Sequence, residues 1–228
     1  MLNFSGRHYP RHIILQCVRW YVSYGISYRN LEEMMSERGF EIDHSTLNRW
    51  VVKYSRQIER ASRKYKRPVC NSWRMDETYI KVKGKWCYIY RAVDKHGLTV
   101  DFMLRARRDK KAAYSFFNKA LKHHPLPRII NIDKSGSNIS ALGTVNSDTK
   151  IPALRSKVRQ VKYLNNIVEQ DHRHIKRVTN PMSGFKNFHS ASSTIAGIEL
   201  MNMIKKKQFK IPGKEHLTRA QMFDLIAV

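Results

Sequence analysis

A chain of 228 residues is long enough for one large domain, or for one domain with a small companion. Hydrophobic residues make up 42% and aromatics 11%, which supplies a core and excludes wholesale disorder. Lys plus Arg number 43 against 18 Asp plus Glu, and a net charge of +25 spread along the whole chain points to a polyanionic partner, nucleic acid before a ribosomal or membrane-surface setting.

The N-terminus, MLNFSGRHYPRH, lacks the apolar core of a signal peptide. No apolar run approaches the ~20 residues that span a bilayer, so a soluble, cytoplasmic protein is expected. Residues 10–24 carry Ile14, Cys17, Val18, Tyr21 and Val22 at helical spacing, and Gly25 closes the segment. A second helix is predicted over 27–39, capped by Ser27, with Leu31, Met34 and Met35 as its inner stripe. A third, over 43–60, has Asp43 or Ser45 as N-cap and Leu47, Trp50, Val51 and Tyr54 facing inward. Helix, short turn, helix on a basic background is the pattern of a helix-turn-helix, although any small three-helix bundle shares it. In the DNA-binding reading the third helix is the reader, through His44, Ser45, Thr46, Asn48 and Arg49. Residues 61–72, ASRKYKRPVCNS, read as a basic linker able to lie along phosphates.

The texture then changes. Residues 73–108 are rich in Tyr, Ile, Val, Trp and Phe, with turn signals at KGK (83–85) and DKHG (94–97), and predict three antiparallel strands. A helix follows over 108–124, a short apolar strand over 125–133, a turn at KSGSN with a short helix near 137–147, and a strand at VRQVKY (158–163). Helices over 165–178 and 190–208 complete a mixed sheet with helices packed on it. The cysteines Cys17, Cys70 and Cys87 stand apart, so a zinc ribbon or disulfide framework is not expected.

Three acids fall at telling positions. Asp76 lies in the first strand. Asp133 ends the apolar strand IINID, at the edge where such sheets place ligands. Glu169 lies in NNIVEQDHRHIK (165–176). Carboxylates gathered together repel, and hard divalent cations with oxygen ligands hold such clusters. On a helix, His172, Arg173 and Lys176 fall within about 60° of Glu169, whereas Asp171 points about 160° away. A metal-binding carboxylate beside cations suits a phosphate backbone, but the run by itself is equally a solvated salt-bridge face. Glu77 alternates to the opposite face from Asp76. Asp94 and Asp101 sit near turns and read as structural. His172 and His174 are two apart and cannot share a zinc face. Trp73, Tyr79, Trp86 and Tyr88 read as core rather than base-stacking residues.

MDETYIKVKGKWCYIYRAVD, the strand ending NID and YLNNIVEQDHRHIKR together resemble the DDE transposases of bacterial insertion sequences, most closely the insertion sequence six family. SYRNLEEMMSERG and HSTLNRWV are similar to that family's helix-turn-helix. The resemblance implies an α/β, RNase H-like mixed sheet with flanking helices, preceded by an all-α helix-turn-helix domain. It divides the chain into 1–60 (helix-turn-helix), 61–72 (linker), 73–208 (catalytic domain) and 209–228 (C-terminal tail). It maps the metal-binding catalytic triad onto Asp76, Asp133 and Glu169, with Lys176 the basic residue seven beyond the glutamate and Arg173 beside it on DNA. It further implies two Mg2+ or Mn2+ ions, nicking at terminal inverted repeats, attack of the freed 3′-hydroxyl on target DNA, cointegrate products, and a homo-oligomer on DNA. After Asp133 the run Lys134-Ser135-Gly136-Ser137 departs from the family's usual residues. A non-catalytic DNA-binding regulator and an RNase H-like nuclease without strand transfer are the rival readings. The first leaves the three acids unexplained.

Overall fold

Ser27 and Asp43 each supply an acceptor that the first turn of a helix lacks. The computed structural model describes residues 2–4, 8–133, 136–148 and 155–228, and its first helices are α1 (Arg11–Ser23), α2 (Tyr28–Ser36) and α3 (His44–Ser62). The Ser27 side chain accepts from the Asn30 backbone while Asn30 accepts from the Ser27 backbone, and Asp43 accepts from the N–H groups of Ser45 and Thr46. The helical stripes are buried as their period predicts, except that Met34 stays half-buried.

The chain divides into two compact units, Met1–Arg67 with His174–Val228, and Pro68–Arg173. The first unit thus joins the N-terminal helices to the C-terminal segments of the chain. Helices α7 (Phe188–Lys205) and α8 (Arg219–Ile226) pack with α1 and α3 in the first unit, and the expected tail buries Phe223 and Ile226. The cause is visible in α7, which is buried on every side from Ser193 to Ile204; a helix with no wet face must be enclosed by others. Close approach depends on Gly197. A Cβ there would stand 2.6 Å from Val22 Cγ1 of α1 and 2.8 Å from Ser55 Oγ of α3.

In the second unit β1 (Ser72–Val82), β2 (Lys85–Asp94) and β3 (Thr99–Arg105) form the expected antiparallel meander. Strands β4 (Ile129–Asn131) and β5 (Lys157–Arg159) add in parallel, giving the order β3-β2-β1-β4-β5. With α4 (Lys110–Leu121), α5 (Gly136–Ser147) and α6 (Asn166–Thr179) this is the expected RNase H-like mixed sheet with flanking helices. Trp73, Met75, Tyr90 and Ile130 from the strands meet Phe116, Phe117 and Leu142 from α4 and α5 in one core. The last strand is shorter than expected. The Asn131 side chain bonds both the N–H and the C=O of Val161, so a side-chain amide replaces the ladder there and the chain turns into a 3-10 helix at Lys162–Asn165. Of the turn expected at KSGSN, Lys134 and Ser135 lie outside the described residues and Gly136 already begins α5. No helix among the described residues is long and apolar enough to cross a membrane.

Replacing Gly197 by Ala tests the packing of α7. Overpacking against short side chains outweighs the gain in helix propensity, and a net loss on the order of 1–3 kcal/mol is expected in urea denaturation. An unchanged or raised midpoint would show that the helices are not in close contact there.

Candidate active site

The parallel register of β1 with β4 builds the site. Ser72 pairs with Ile129, Trp73 with Ile130 and Arg74 with Asn131. Two residues further along both strands stand Asp76 and Asp133, so the pairing delivers two carboxylates to neighbouring positions. Strands in a sheet lie ~4.8 Å apart, close enough for strong repulsion.

Glu77 joins them, contrary to the sequence reading. Its backbone does alternate to the face of its cross-strand partner Tyr90, on the α4–α5 side. Its carboxylate nevertheless reaches the strand end, and Asp76, Glu77 and Asp133 each present an oxygen within 4.8 Å of the others. Arg108, in the segment between β3 and α4, bridges two of them, donating to Asp133 Oδ2 at 2.8 Å and to Glu77 Oε2 at 3.2 Å. Burial pushes Asp76 up to about 6, helped by the charges of Asp133 and Glu169 and opposed by Arg108. Burial likewise pushes Glu77 up to about 7, against the pull of Arg108 and with a further push from Asp133 and Asp76. An all-oxygen donor set that resists ionisation when alone fits a hard divalent cation.

Helix α6 divides its two acids between two tasks. Asp171 is buried and forms a 3.0 Å ion pair with Arg91 of β2, whose side chain is 0% exposed and also donates to Thr99 Oγ1. Arg91 pairs across the sheet with Asp76, so this ion pair holds the start of α6 over the Asp76 face. Asn165, just before α6, accepts from Asn131 Nδ2 at 2.6 Å, a second tie from the strand that carries Asp133. Glu169, held by these contacts, is exposed, and its charge is felt at Asp76. His172 Nδ1 stands 3.7 Å from Asp76 Oδ2. Arg173 is exposed and Lys176 lies half-buried further along the helix.

Sequence reasoning singled out Asp76, Asp133 and Glu169 but missed Glu77, Arg91, Arg108, Asn131 and Asn165. Arg91 and Asn131 carried a signal, since each is a polar residue inside an apolar strand. Arg108 carried none, being one of many basic residues. Asp94 and Asp101 are structural. Asp94 takes the N–H groups of Cys70, His96 and Leu98, and Asp101 pairs with Lys119. Trp73 is core and Tyr88 half-buried, but Tyr79 and Trp86 are exposed. Among the expected DNA readers at the start of α3, His44 lies 3.3 Å from Glu32, Ser45 and Thr46 engage Asp43, and Arg49 donates to Thr46. His44, Ser45 and Arg49 are exposed, Thr46 and Asn48 half-buried.

Two outcomes follow. Asp171→Ala, which strands Arg91, is expected to cost ~3–5 kcal/mol, whereas Glu169→Gln leaves stability within about 0.5 kcal/mol; chemical denaturation separates them, and equal effects would contradict the division of labour. Folding raises the pKa of both Asp76 and Glu77, so the folded state binds protons more tightly than the unfolded chain. Their contribution is full below about pH 4 and is lost as pH rises towards 7. Without divalent ions, stability should therefore fall across this window more steeply in the wild type than in Glu77→Gln, and added Mg2+ should restore it at the upper end. Parallel pH curves for the two proteins would contradict this.

The profile of the DDE domain family matches residues 70–208, and that of the family described as Transposase IS66 family matches residues 11–125. The chain is 38% identical over 211 residues to the transposase for insertion sequence-like element IS431mec of Staphylococcus aureus strain Mu50, covering 91% of this chain and 90% of that one. It is 37% identical, over the same shares of the two chains, to the transposase for insertion sequence element IS257 in transposon Tn4003 of S. aureus. Among solved structures, the HTLV-2 integrase catalytic core domain in complex with magnesium (trimeric form) is similar with a TM-score of 0.46 at 18% identity, covering 69% of this chain and 99% of that one. The catalytic core domain of BIV integrase is similar with a TM-score of 0.42 at 15% identity, covering 68% and 94%. The chain belongs to the DDE transposases of bacterial insertion sequences, in the insertion sequence six family.

Proposed function

We propose that this transposase binds the terminal inverted repeats of its element, nicks the DNA there, and joins the freed 3′-hydroxyl to target DNA, giving cointegrates. The observation that carries the reading is the register that sets Asp76 beside Asp133, with Glu169 close enough to act electrostatically on Asp76. In the nicking step a water oxygen attacks phosphorus, the bond from phosphorus to the 3′-oxygen breaks, and that oxygen takes up a proton. In the joining step the 3′-oxygen attacks a target phosphorus and displaces the target's own 3′-oxygen.

Asp76, Asp133 and Glu169, with Glu77 adjoining, would hold two Mg2+ or Mn2+ ions. Bound there, the ions would activate the attacking oxygen and offset charge on the leaving one. The chain's own side chains position the DNA. Arg173, exposed on α6, and Lys176 hold phosphate, and His172 orients the Asp76 carboxylate. The start of α3, with His44, Ser45, Thr46, Asn48 and Arg49, reads the repeat, and the charge of +25 draws the polyanion in. The working form is a homo-oligomer on DNA, in the cytoplasm and on the nucleoid when bound.

The test is a cleavage and strand-transfer assay on labelled DNA carrying the element's terminal repeat, with Mg2+, beside Asp133→Asn. Nicking and joining are expected in the wild type, reduced at least ~100-fold in the variant, the scale of losing one charge-stabilising group. Cleavage without joining would support a nuclease, and specific binding without cleavage a regulator.

A further inference from the structure

The hairpin of β1 and β2 projects a surface that the site does not use. Residues 79–86, YIKVKGKW, hold three lysines, two large aromatics and no acid. Lys83 and Gly84 turn the chain with φ of 51° and 73°, the two-residue turn whose twist matches its strands. Ile80, Val82, Cys87 and Ile89 bury one face of the hairpin. The other face runs outward from Glu77 and Tyr90, through Tyr79 opposite Tyr88, to Lys81 opposite Trp86. Along it Tyr90 is buried, Tyr88 half-buried, and Tyr79 and Trp86 are 49% and 51% exposed. The exposed rings touch each other. They meet edge to face at 4.8 Å, and Lys81 Nζ stands 5.1 Å from the Trp86 ring centre.

Large aromatics left half-exposed among lysines, with the nearest acid of the face, Glu77, at its inner end, form the surface on which unpaired bases stack while cations hold the phosphates. A second copy of the chain is the poorer occupant, because it would bring +25 against +25 at a lysine-rich tip. Tyr79 is three residues and Lys81 five residues beyond Asp76, about 10 and 17 Å along the strand at ~3.3 Å per residue. At ~3.4 Å per stacked nucleotide this corresponds to roughly three to five nucleotides. We propose that Tyr79 and Trp86 form a stacking platform for unpaired bases of the DNA strand whose reacting phosphate lies at Asp76 and Asp133. The proposal rests on the transposase reading of the acid cluster.

The test uses full-length protein and terminal-repeat DNA with a single-stranded end, carrying 2-aminopurine at successive positions. Binding and fluorescence are read in EDTA, and nicking is read separately with Mg2+. Quenching confined to about three to five nucleotides from the cleaved bond is expected. Trp86→Ala and Tyr79→Ala should abolish it and weaken single-strand binding roughly 5- to 100-fold, while Trp86→Phe restores it. Asp133→Asn should keep the quenching and lose nicking. Wild-type nicking with quenching and affinity unchanged in both alanine variants would overturn the platform and leave the transposase reading intact. Quenching without wild-type nicking would overturn the catalytic reading and, with it, the placement of the platform beside a reacting phosphate. A loss of oligomer in Trp86→Ala at unchanged DNA affinity would assign the face to a second copy and overturn the proposal.

Discussion

The parallel pairing of β1 with β4 is the constraint around which the second unit is organised. It places Asp76 and Asp133 on adjacent strands, where their charges oppose folding, and Glu77 and Glu169 add to the same field. The rest of the unit offsets that cost. Trp73, Met75 and Ile130 anchor the pair of strands in the apolar core immediately before the acids. Arg108 spans Glu77 and Asp133 and supplies a counter-charge from within the chain. A cluster that tolerates full ionisation poorly when alone has an energetic reason to take up a cation, and this links the stability of the apo protein to its chemistry.

A second layer of polar contacts carries the glutamate. Asp171 grips Arg91 through the sheet face, and Asn131 holds Val161 and Asn165. These groups are buried, and each uses hydrogen bonds that an apolar residue could not replace. Glu169 itself stays exposed, as the proposed contact with an ion and a phosphate requires. Within three residues one helix therefore carries a buried acid that fixes its position and an acid exposed to solvent.

The meander, the third helix and the placing of Asp133 at the end of an apolar strand were legible in the sequence because each follows from local rules: period-2 alternation, an Asp43 cap before an amphipathic stripe, and an aspartate closing an apolar run. The unit to which α7 belongs was not, because a helix buried on every side carries no facing information and only tertiary contacts assign it. Glu77 was discounted by strand alternation, which describes where Cβ points but not where a long side chain ends. Asp171 was correctly set on a different face from Glu169, but its partner Arg91 lies 80 residues earlier in the sequence and no local pattern connects them. Tyr79 and Trp86 were read as core from residue type, but they stand near the tip of the hairpin and are half-exposed.

The central claim is that the acids within β1 and just beyond β4 form one cation site. Electron paramagnetic resonance titration of Mn2+ at neutral pH tests it without DNA and without turnover. The account predicts saturable binding in the wild type, weakened at least tenfold by Asp76→Asn and by Asp133→Asn alike. Binding that survives both substitutions, or no binding in the wild type, would contradict it.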